Sequence, residues 1–358
     1  MAKRILIMAG GTGGHIFPGL AVADTLAAEG WHVDWLGTSD RMEAELVPQA
    51  GYPIHFVKIQ GVRNKGWLRK LMTPINLIKA IWQAKKIIKT CRPDVIAGFG
   101  GYVSLPGGLA AKLAGVPLMI HEQNAYAGLS NRLLARFAQR TLCAFDGTQG
   151  LPAKTRVVGN PVRANILACG DVVKNECIRI LVVGGSLGAQ ALNQAVPAAL
   201  TALTVEQQQQ IKVQHQTGKQ QNQAVQQAYQ TLASEVEVSE FITDMASAYQ
   251  QADLIICRAG ALTVSEISAV GRAAIFVPLP HAVDDHQTKN AQVLVRQGAA
   301  YLVPQADLVS GKLVTILDEI LADPERLHKM AQAAKHQAKA NAHNQIAFEL
   351  KELSVGKS

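Results

Sequence analysis

The residues best suited to chemistry in this chain lie in Met8–Pro18, M-A-G-G-T-G-G-H-I-F-P. Gly10, Gly11, Gly13 and Gly14, with Thr12 between them, let a ligand approach the backbone closely. His15 follows the last glycine. An imidazole titrates near neutral pH and can take a proton from a hydroxyl, so His15 is the first candidate for a general base. The competing reading is that it only positions a phosphate or an acceptor. Where a strand breaks into glycines and then a helix, backbone N–H groups meet the positive end of a helix dipole, which suits an anion.

Three further stretches repeat the pattern. Gly98-Phe99-Gly100-Gly101-Tyr102 runs on to Pro106-Gly107-Gly108 in the first half. Two such loops on one sheet edge, with Gly10, Gly11, Gly100 and Gly101 at their tips, could grip a diphosphate between them. In the second half, Gly184-Gly185-Ser186-Leu187-Gly188 follows an apolar run, and Ala261-Leu262-Thr263-Val264-Ser265-Glu266 follows Leu254–Cys257. Glu266, in a first helical turn, is placed to accept hydrogen bonds from a ribose diol; dipole compensation alone would also explain an acid there. No D-x-D pair is present to hold a divalent ion, so helix dipoles and cations must stabilise developing charge, with Arg163 and Arg258 as candidates.

Some patterns imitate other chemistries. Gly184–Gly188 matches G-x-S-x-G, and Asp253, Asp284 and His286 could serve as triad partners of a hydrolase. The serine-free echo in the first half favours phosphate binding. His121-Glu122 opens like a zincin helix but lacks the second histidine, so no metal is expected there. The first loop is not G-x-G-x-x-G, and Asp34 falls inside a strand, which argues against a nicotinamide enzyme.

The elements that must position these residues are legible as alternation. Strand-like runs at Arg4–Met8, His32–Leu36, Ile54–Ile59, Val95–Phe99, Pro117–His121 and Thr141–Phe145 are separated by helical stretches, the first predicted over Gly19–Glu29. The pattern restarts at Ile178–Val183 and continues through Lys212–Gln216, Val236–Phe241, Leu254–Cys257, Ala274–Val277 and Ala300–Val303. Alternation of this kind predicts an α/β fold with two Rossmann-like, doubly wound parallel sheets facing across a cleft. The expected domains are 1–160 and 161–340, with a linker near Val158–Asp171 and a C-terminal helix over 341–358 that packs back on the first domain.

The net charge of +8 is uneven. Residues 1–160 hold 19 Lys and Arg against 9 Asp and Glu; the remainder holds 16 against 18. No acid occurs between Glu45 and Asp94, a span rich in Lys, Arg, Trp and aliphatic residues. Within it, Leu71 and Ile75, and Ile78 and Trp82, fall at helical spacing. One reading is a core helix with a solvated charged face. The other is a surface on which the loop 63–72, with Arg63, Lys65, Trp67, Arg69 and Lys70, rests on an anionic bilayer. No recognised nucleic-acid module is visible. Five cysteines without a C-x-x-C pair point to reduced thiols. The apolar N-terminal run is cut early by polar residues, so a first strand is expected instead of a signal peptide.

G-G-T-G-G-H-I-F-P-G-L-A-V-A, G-F-G-G-Y-V-S-L-P-G-G-L-A-A, H-E-Q-N-A-Y-A-G-L-S-N-R, G-N-P-V-R, G-G-S-L-G-A and C-R-A-G-A-L-T-V-S-E occur in that order. Together they resemble the MurG family of bacterial glycosyltransferases, over residues 4 to 300. The resemblance implies a metal-independent, inverting GT-B enzyme of peptidoglycan synthesis, needing no cofactor, peripheral to the cytoplasmic face of the inner membrane. It would move N-acetylglucosamine from UDP-N-acetylglucosamine (UDP-GlcNAc) to undecaprenyl-diphospho-muramoyl-pentapeptide, converting lipid I to lipid II. By the same resemblance the backbone of Ile242 would recognise uracil and Glu266 the ribose. Ser186, Arg163 and the helix start at Ala261–Val264, with Ser265 beside it, would receive the diphosphate. Gln287, Thr12, Gly13, Gly14 and Asn124 would contact the sugar, and Glu122 is the reserve base. Where some members carry paired glutamines, this chain has His286-Gln287.

Overall fold

The computed structural model describes residues 2–59, 67–170, 177–185 and 188–355, with backbone alone at 67–73 and 283. Arg63, Lys65 and Ser186 lie outside the described residues, as do the side chains of Trp67, Arg69 and Lys70. The chain divides into two compact units, Met1–Val162 with Lys339–Ser358, and Arg163–Ala338.

In the first unit the strands are β1 (Arg4–Ala9), β2 (His32–Gly37), β3 (Ile54–Phe56), β4 (Val95–Gly100), β5 (Leu118–Glu122), β6 (Arg140–Cys143) and β7 (Arg156–Val157). They form one parallel sheet in the order β3-β2-β1-β4-β5-β6-β7. The connecting helices are α1 (Gly13–Ala28), α2 (Glu43–Gln49), α3 (Trp67–Cys91), α4 (Ser104–Ala114) and α5 (Leu129–Leu134). Side chains of β1 alternate between the sheet's two faces, as strand geometry requires. Ile5 and Ile7 pack with Ile16, Val22 and Leu26 of α1; Leu6 and Met8 pack with Ala84 and Ile88 of α3 and Ala110 of α4. Each such fully buried aliphatic side chain contributes roughly 1.5–3 kcal/mol.

The second unit contains α6 (Ala164–Leu167), β8 (Ile178–Val183), α7 (Gln190–Thr201), α8 (Val205–Gln208), β9 (Ile211–Gln216), α9 (Asn222–Ala228) and β10 (Glu235–Ser239). It continues through α10 (Met245–Gln251), β11 (Leu254–Cys257), α11 (Ala261–Val270), β12 (Ala273–Phe276), α12 (His286–Val295), β13 (Ala300–Leu302), α13 (Lys312–Ala322) and α14 (Glu325–His336). Its parallel sheet runs β10-β9-β8-β11-β12-β13. The last helix, α15 (Ala342–Val355), belongs to the first unit, where Ile346, Ala347 and Leu350 join the core of α1.

In both sheets the strand order reverses beside the first strand, between β1 and β4 and between β8 and β11. Ligands of open parallel sheets bind beyond the carboxyl ends of strands at such a reversal. All the glycine-rich stretches follow one of these four strands. Two expectations need correction. The first helix begins at Gly13, not Gly19, so His15 lies in its first turn instead of in a loop. Residues 67–72 are already helical, as part of α3.

Candidate active site

The two glycine turns of the first unit are in backbone contact. A Cβ on Gly101 would fall 2.3 Å from the Gly10 carbonyl oxygen, and Gly101 has φ +86°. Only glycine satisfies both conditions. Ser104 ties the turns together: its hydroxyl donates to the Gly100 carbonyl at 2.7 Å and lies 3.3 Å from the Met8 carbonyl.

His15 sits on this platform, with its ring against Gly100. Its Nδ1 is 3.1 Å from the Gly10 carbonyl oxygen, which can only accept. That bond assigns the proton to Nδ1 and leaves the lone pair on Nε2. Thr12 caps α1 from an extended conformation, and Gly13 and Gly14 fill the first turn, where helix N–H groups lack carbonyl partners within the helix.

Beneath the loop lies Glu43, fully buried. Its carboxylate accepts from the Gly11 amide (2.9 Å), the Thr38 amide (3.0 Å) and the Thr38 hydroxyl (2.8 Å). The Gly11 amide therefore faces inward, and an anion at this loop must use other donors. Arg41, about half exposed, lines the same recess with Gly10, Thr38 and Tyr102, and is a cation that motif reading alone passes over.

Glu122 ends β5, and Asn124 lies on the loop that follows it. Glu122 is buried, and its two oxygens accept from the Asn124 amide, the Asn124 side chain, the Gly128 amide and the Asn131 side chain, at 2.9–3.1 Å. A carboxylate so engaged shapes its loop; that is a poor arrangement for the reserve base. Neighbouring His121 is buried, spans from Gln123 to the Gly159 carbonyl, and is held to a pKa of about 4 by burial.

In the second unit Glu266 and Arg163 are partners. Arg163 donates to Glu266 Oε1 at 3.1 Å, and Tyr249 donates to Oε2 at 3.1 Å. Burial raises the Glu266 pKa, and Arg163 and Tyr249 oppose the rise. Glu266 lies in the second turn of α11, not in the first as expected, so dipole compensation does not account for it; the first turn holds Ala261, Leu262 and Thr263, with Val264 and Ser265 following. Arg258 has both terminal nitrogens committed, to the Val277 and Pro278 carbonyls and to Gln305, and serves the fold. Gln287 accepts from the Leu279 amide at 2.9 Å and orients the turn before α12.

Gln216, which carries no motif, links the glycine loop after β8 to Ile242. It donates to the Gly185 carbonyl (3.1 Å) and accepts from the Ile242 amide (3.2 Å). Its place at the end of β9, where polar residues meet ligands, is the one sequence signal that could have found it. Of the triad partners considered for a hydrolase, Asp253 is misplaced: it accepts from the Arg179 amide at the amino end of β8, whereas Gly184 and Gly185 follow the carboxyl end of that strand.

α3 presents another surface. Its buried side is Ala80, Ala84, Ile88 and Cys91, while Ile75, Ile78 and Trp82 are 47%, 54% and 65% exposed. Lys79, Lys86 and Lys89 are exposed on the same helix, and the Lys85 ammonium lies 5.4 Å from the Trp82 ring centre. The core-helix reading of Ile75, Ile78 and Trp82 is therefore corrected. No helix among the described residues is long and apolar enough to cross a membrane.

Residues 5–143 match the glycosyltransferase family 28 N-terminal domain and residues 179–346 its C-terminal domain. The chain is 55% identical to the UDP-N-acetylglucosamine–N-acetylmuramyl-(pentapeptide) pyrophosphoryl-undecaprenol N-acetylglucosamine transferase of Aeromonas hydrophila subsp. hydrophila, covering 99% of this chain and 98% of the relative. It is 52% identical to the enzyme of the same name from Tolumonas auensis, covering 99% and 100%. Among solved structures, MurG of Acinetobacter baumannii superposes with a TM-score of 0.88 at 43% identity, covering 98% of this chain and 99% of that one. The calicheamicin glycosyltransferase CalG4, at 16% identity, 100% and 99% coverage and a TM-score of 0.70, shares the fold.

Proposed function

The chain belongs to glycosyltransferase family 28, and from that membership and its full-length relatives we propose that it converts lipid I to lipid II. It transfers N-acetylglucosamine from UDP-GlcNAc to the C4 hydroxyl of the muramoyl sugar of undecaprenyl-diphospho-muramoyl-pentapeptide, with inversion. The observation that carries a chemical role for this chain's own residues is the Nδ1–H···O=C bond from His15 to Gly10, which leaves Nε2 as a base.

In the transfer, the acceptor hydroxyl oxygen forms a bond to the anomeric carbon while Nε2 of His15 takes the hydroxyl proton. The bond from that carbon to the UDP oxygen breaks, and the electron pair leaves on the β-phosphate. The N-terminal turn of α11 receives this developing charge, as backbone donors do at an oxyanion. Glu266 accepts from the ribose hydroxyls, and Arg163 turns from Glu266 toward the diphosphate when the donor binds. The loops at Gly10 and Gly100–Gly101, with Arg41 nearby, hold the acceptor diphosphate. Gln287, Asn124, Thr12, Gly13 and Gly14 contact the transferred sugar, and Ser186 the donor diphosphate.

The lipid tail of such an acceptor lies in a bilayer. The exposed Ile75, Ile78 and Trp82 among lysines give α3 the chemistry to rest on an anionic surface, peripheral to the cytoplasmic face of the inner membrane. UDP release from UDP-GlcNAc should require a prenyl-linked lipid I analogue and persist in EDTA. Purified protein that releases no acceptor-dependent UDP would refute the assignment.

A further inference from the structure

On one face of the first unit's sheet, beside the C-terminal end of α3, three ligand chemistries converge. Asp34 lies in β2, His55 in β3, and Cys91 ends α3. His55 Nε2 is 2.9 Å from Asp34 Oδ1 and 3.3 Å from Cys91 Sγ. The oxygen, nitrogen and sulfur all lie within 4.8 Å of one another. A second imidazole, His32, approaches the other oxygen of Asp34 at 3.3 Å.

Both close contacts use the same ring nitrogen, and the Cys91 thiol also hydrogen-bonds to the Asp34 carboxylate, so the three ligand atoms converge. Loss of the thiol and Nε2 protons would leave an oxygen, a nitrogen and a sulfur lone pair to share one cation placed among them. Tetrahedral zinc places such ligand atoms about 3.3–3.8 Å apart, so the side chains need move by roughly 1 Å at most. Asp34 and Cys91 are buried, while the His55 side chain is 33% exposed and opens a path from solvent.

We propose that Asp34, His55 and Cys91 form a binding site for a thiolate-seeking divalent cation of the zinc type, with His32 or water completing the coordination. Burial and the Asp34 carboxylate push the Cys91 thiol up to about 11, so the ion must displace a proton. Zinc does this readily; magnesium and calcium, which take oxygen ligands, do not. The Arg4 guanidinium, 3.5 Å from Asp34 and partly exposed, turns toward solvent as the ion takes over the carboxylate. Bound there, the ion clips the C-terminal end of α3 to two strands and steadies the helix that carries Ile75, Ile78 and Trp82. The role is structural and independent of the transfer reaction.

The test is titration of the metal-free, full-length protein with Co2+. One equivalent should produce a thiolate-to-cobalt charge-transfer band together with strong four-coordinate d–d absorption, both bleached by one equivalent of Zn2+. The band should vanish in C91S and in H55Q, and persist in the C169S/C177S double variant, which removes the two thiols that are not buried. Zn2+ should raise the melting temperature of the parent and not that of H55Q. Absence of the band in the parent protein, or its survival in C91S or H55Q, overturns the proposal. H55Q alters a partly exposed side chain, so it decides the matter even if C91S fails to fold. A cobalt band alongside absent UDP release would refute the transferase assignment and leave this site standing.

Discussion

His15 owes its suitability as a base to one backbone acceptor. Because the Gly10 carbonyl fixes the proton on Nδ1, asparagine at this position, whose amide nitrogen takes the place of Nδ1, can keep the N–H···O bond but cannot take a proton. H15N should therefore lower kcat by about 10²–10⁴-fold with little change in KM for UDP-GlcNAc; a loss confined to KM would leave His15 a positioning residue. Glu43 works one step further back, holding Gly11 and Thr38 from below. In E43Q an amide NH2 replaces one acceptor oxygen and faces an N–H, leaving a buried donor unpaired. Stability should fall by about 1–3 kcal/mol in urea unfolding. In the fraction that stays folded, kcat should drop at least about tenfold through misplacement of the loop, while donor KM holds. Full kcat in folded E43Q would separate Glu43 from the catalytic loop. Nothing in D-R-M-E distinguishes Glu43 from an ordinary acid at a helix start, which is why its role became visible only once β2 and the glycine loop were seen together. The glycines and His15, by contrast, announce themselves, because few other chemistries need that run.

At the scale of elements, α3 shows what periodicity does and does not carry. Helical spacing places Ile75, Ile78 and Trp82 on related positions but does not say which stripe meets the sheet. The stripe that does is built from Ala80, Ala84 and Ile88; its alanines allow close approach, and Ala84 and Ile88 share a core with Ala110 and Ala111 of α4. Size complementarity between two helices decides the orientation, and that information is non-local. The early start of α1 has a similar cause. Glycine is a poor helix former, yet Gly13 and Gly14 are helical because the loop below is pinned by Glu43 and Gly101. The exposed stripe on α3 gives a direct expectation. I78E/W82E should abolish co-sedimentation with anionic vesicles, and K79E/K86E should weaken it by roughly fivefold per charge removed. Both should retain activity toward a water-soluble, short-chain acceptor. Unchanged sedimentation of I78E/W82E would remove this face from the membrane contact.

For the whole molecule, the repeated plan of strand, glycine turn and helix was legible because parallel sheets demand apolar strands separated by helices. The internal polar pins were not, since each joins residues distant in sequence. Each unit has one buried, neutral histidine among these pins. His121 in the first bridges Gln123 and the Gly159 carbonyl; His215 in the second contacts Tyr229 and Asn193. Burial lowers both to about 4. An unfolded chain protonates the same histidines near pH 6.5. Between pH 6.5 and 4 the unfolded state thus binds a proton that the folded unit refuses. The associated stability is complete above about pH 6.5, declines as pH falls toward 4, and changes no further below that value. The slope is about 1.4 kcal/mol per pH unit for each histidine, added to whatever other groups contribute. Calorimetry at pH 7, 6 and 5 should show the first unit's transition losing stability by this amount, and H121Q, lower in stability throughout, should lose about one proton's worth of that slope. H215Q should flatten the second unit's transition in the same way and leave the first alone. Parallel declines in H121Q and its parent would mean that other groups set the acid limit of the first unit.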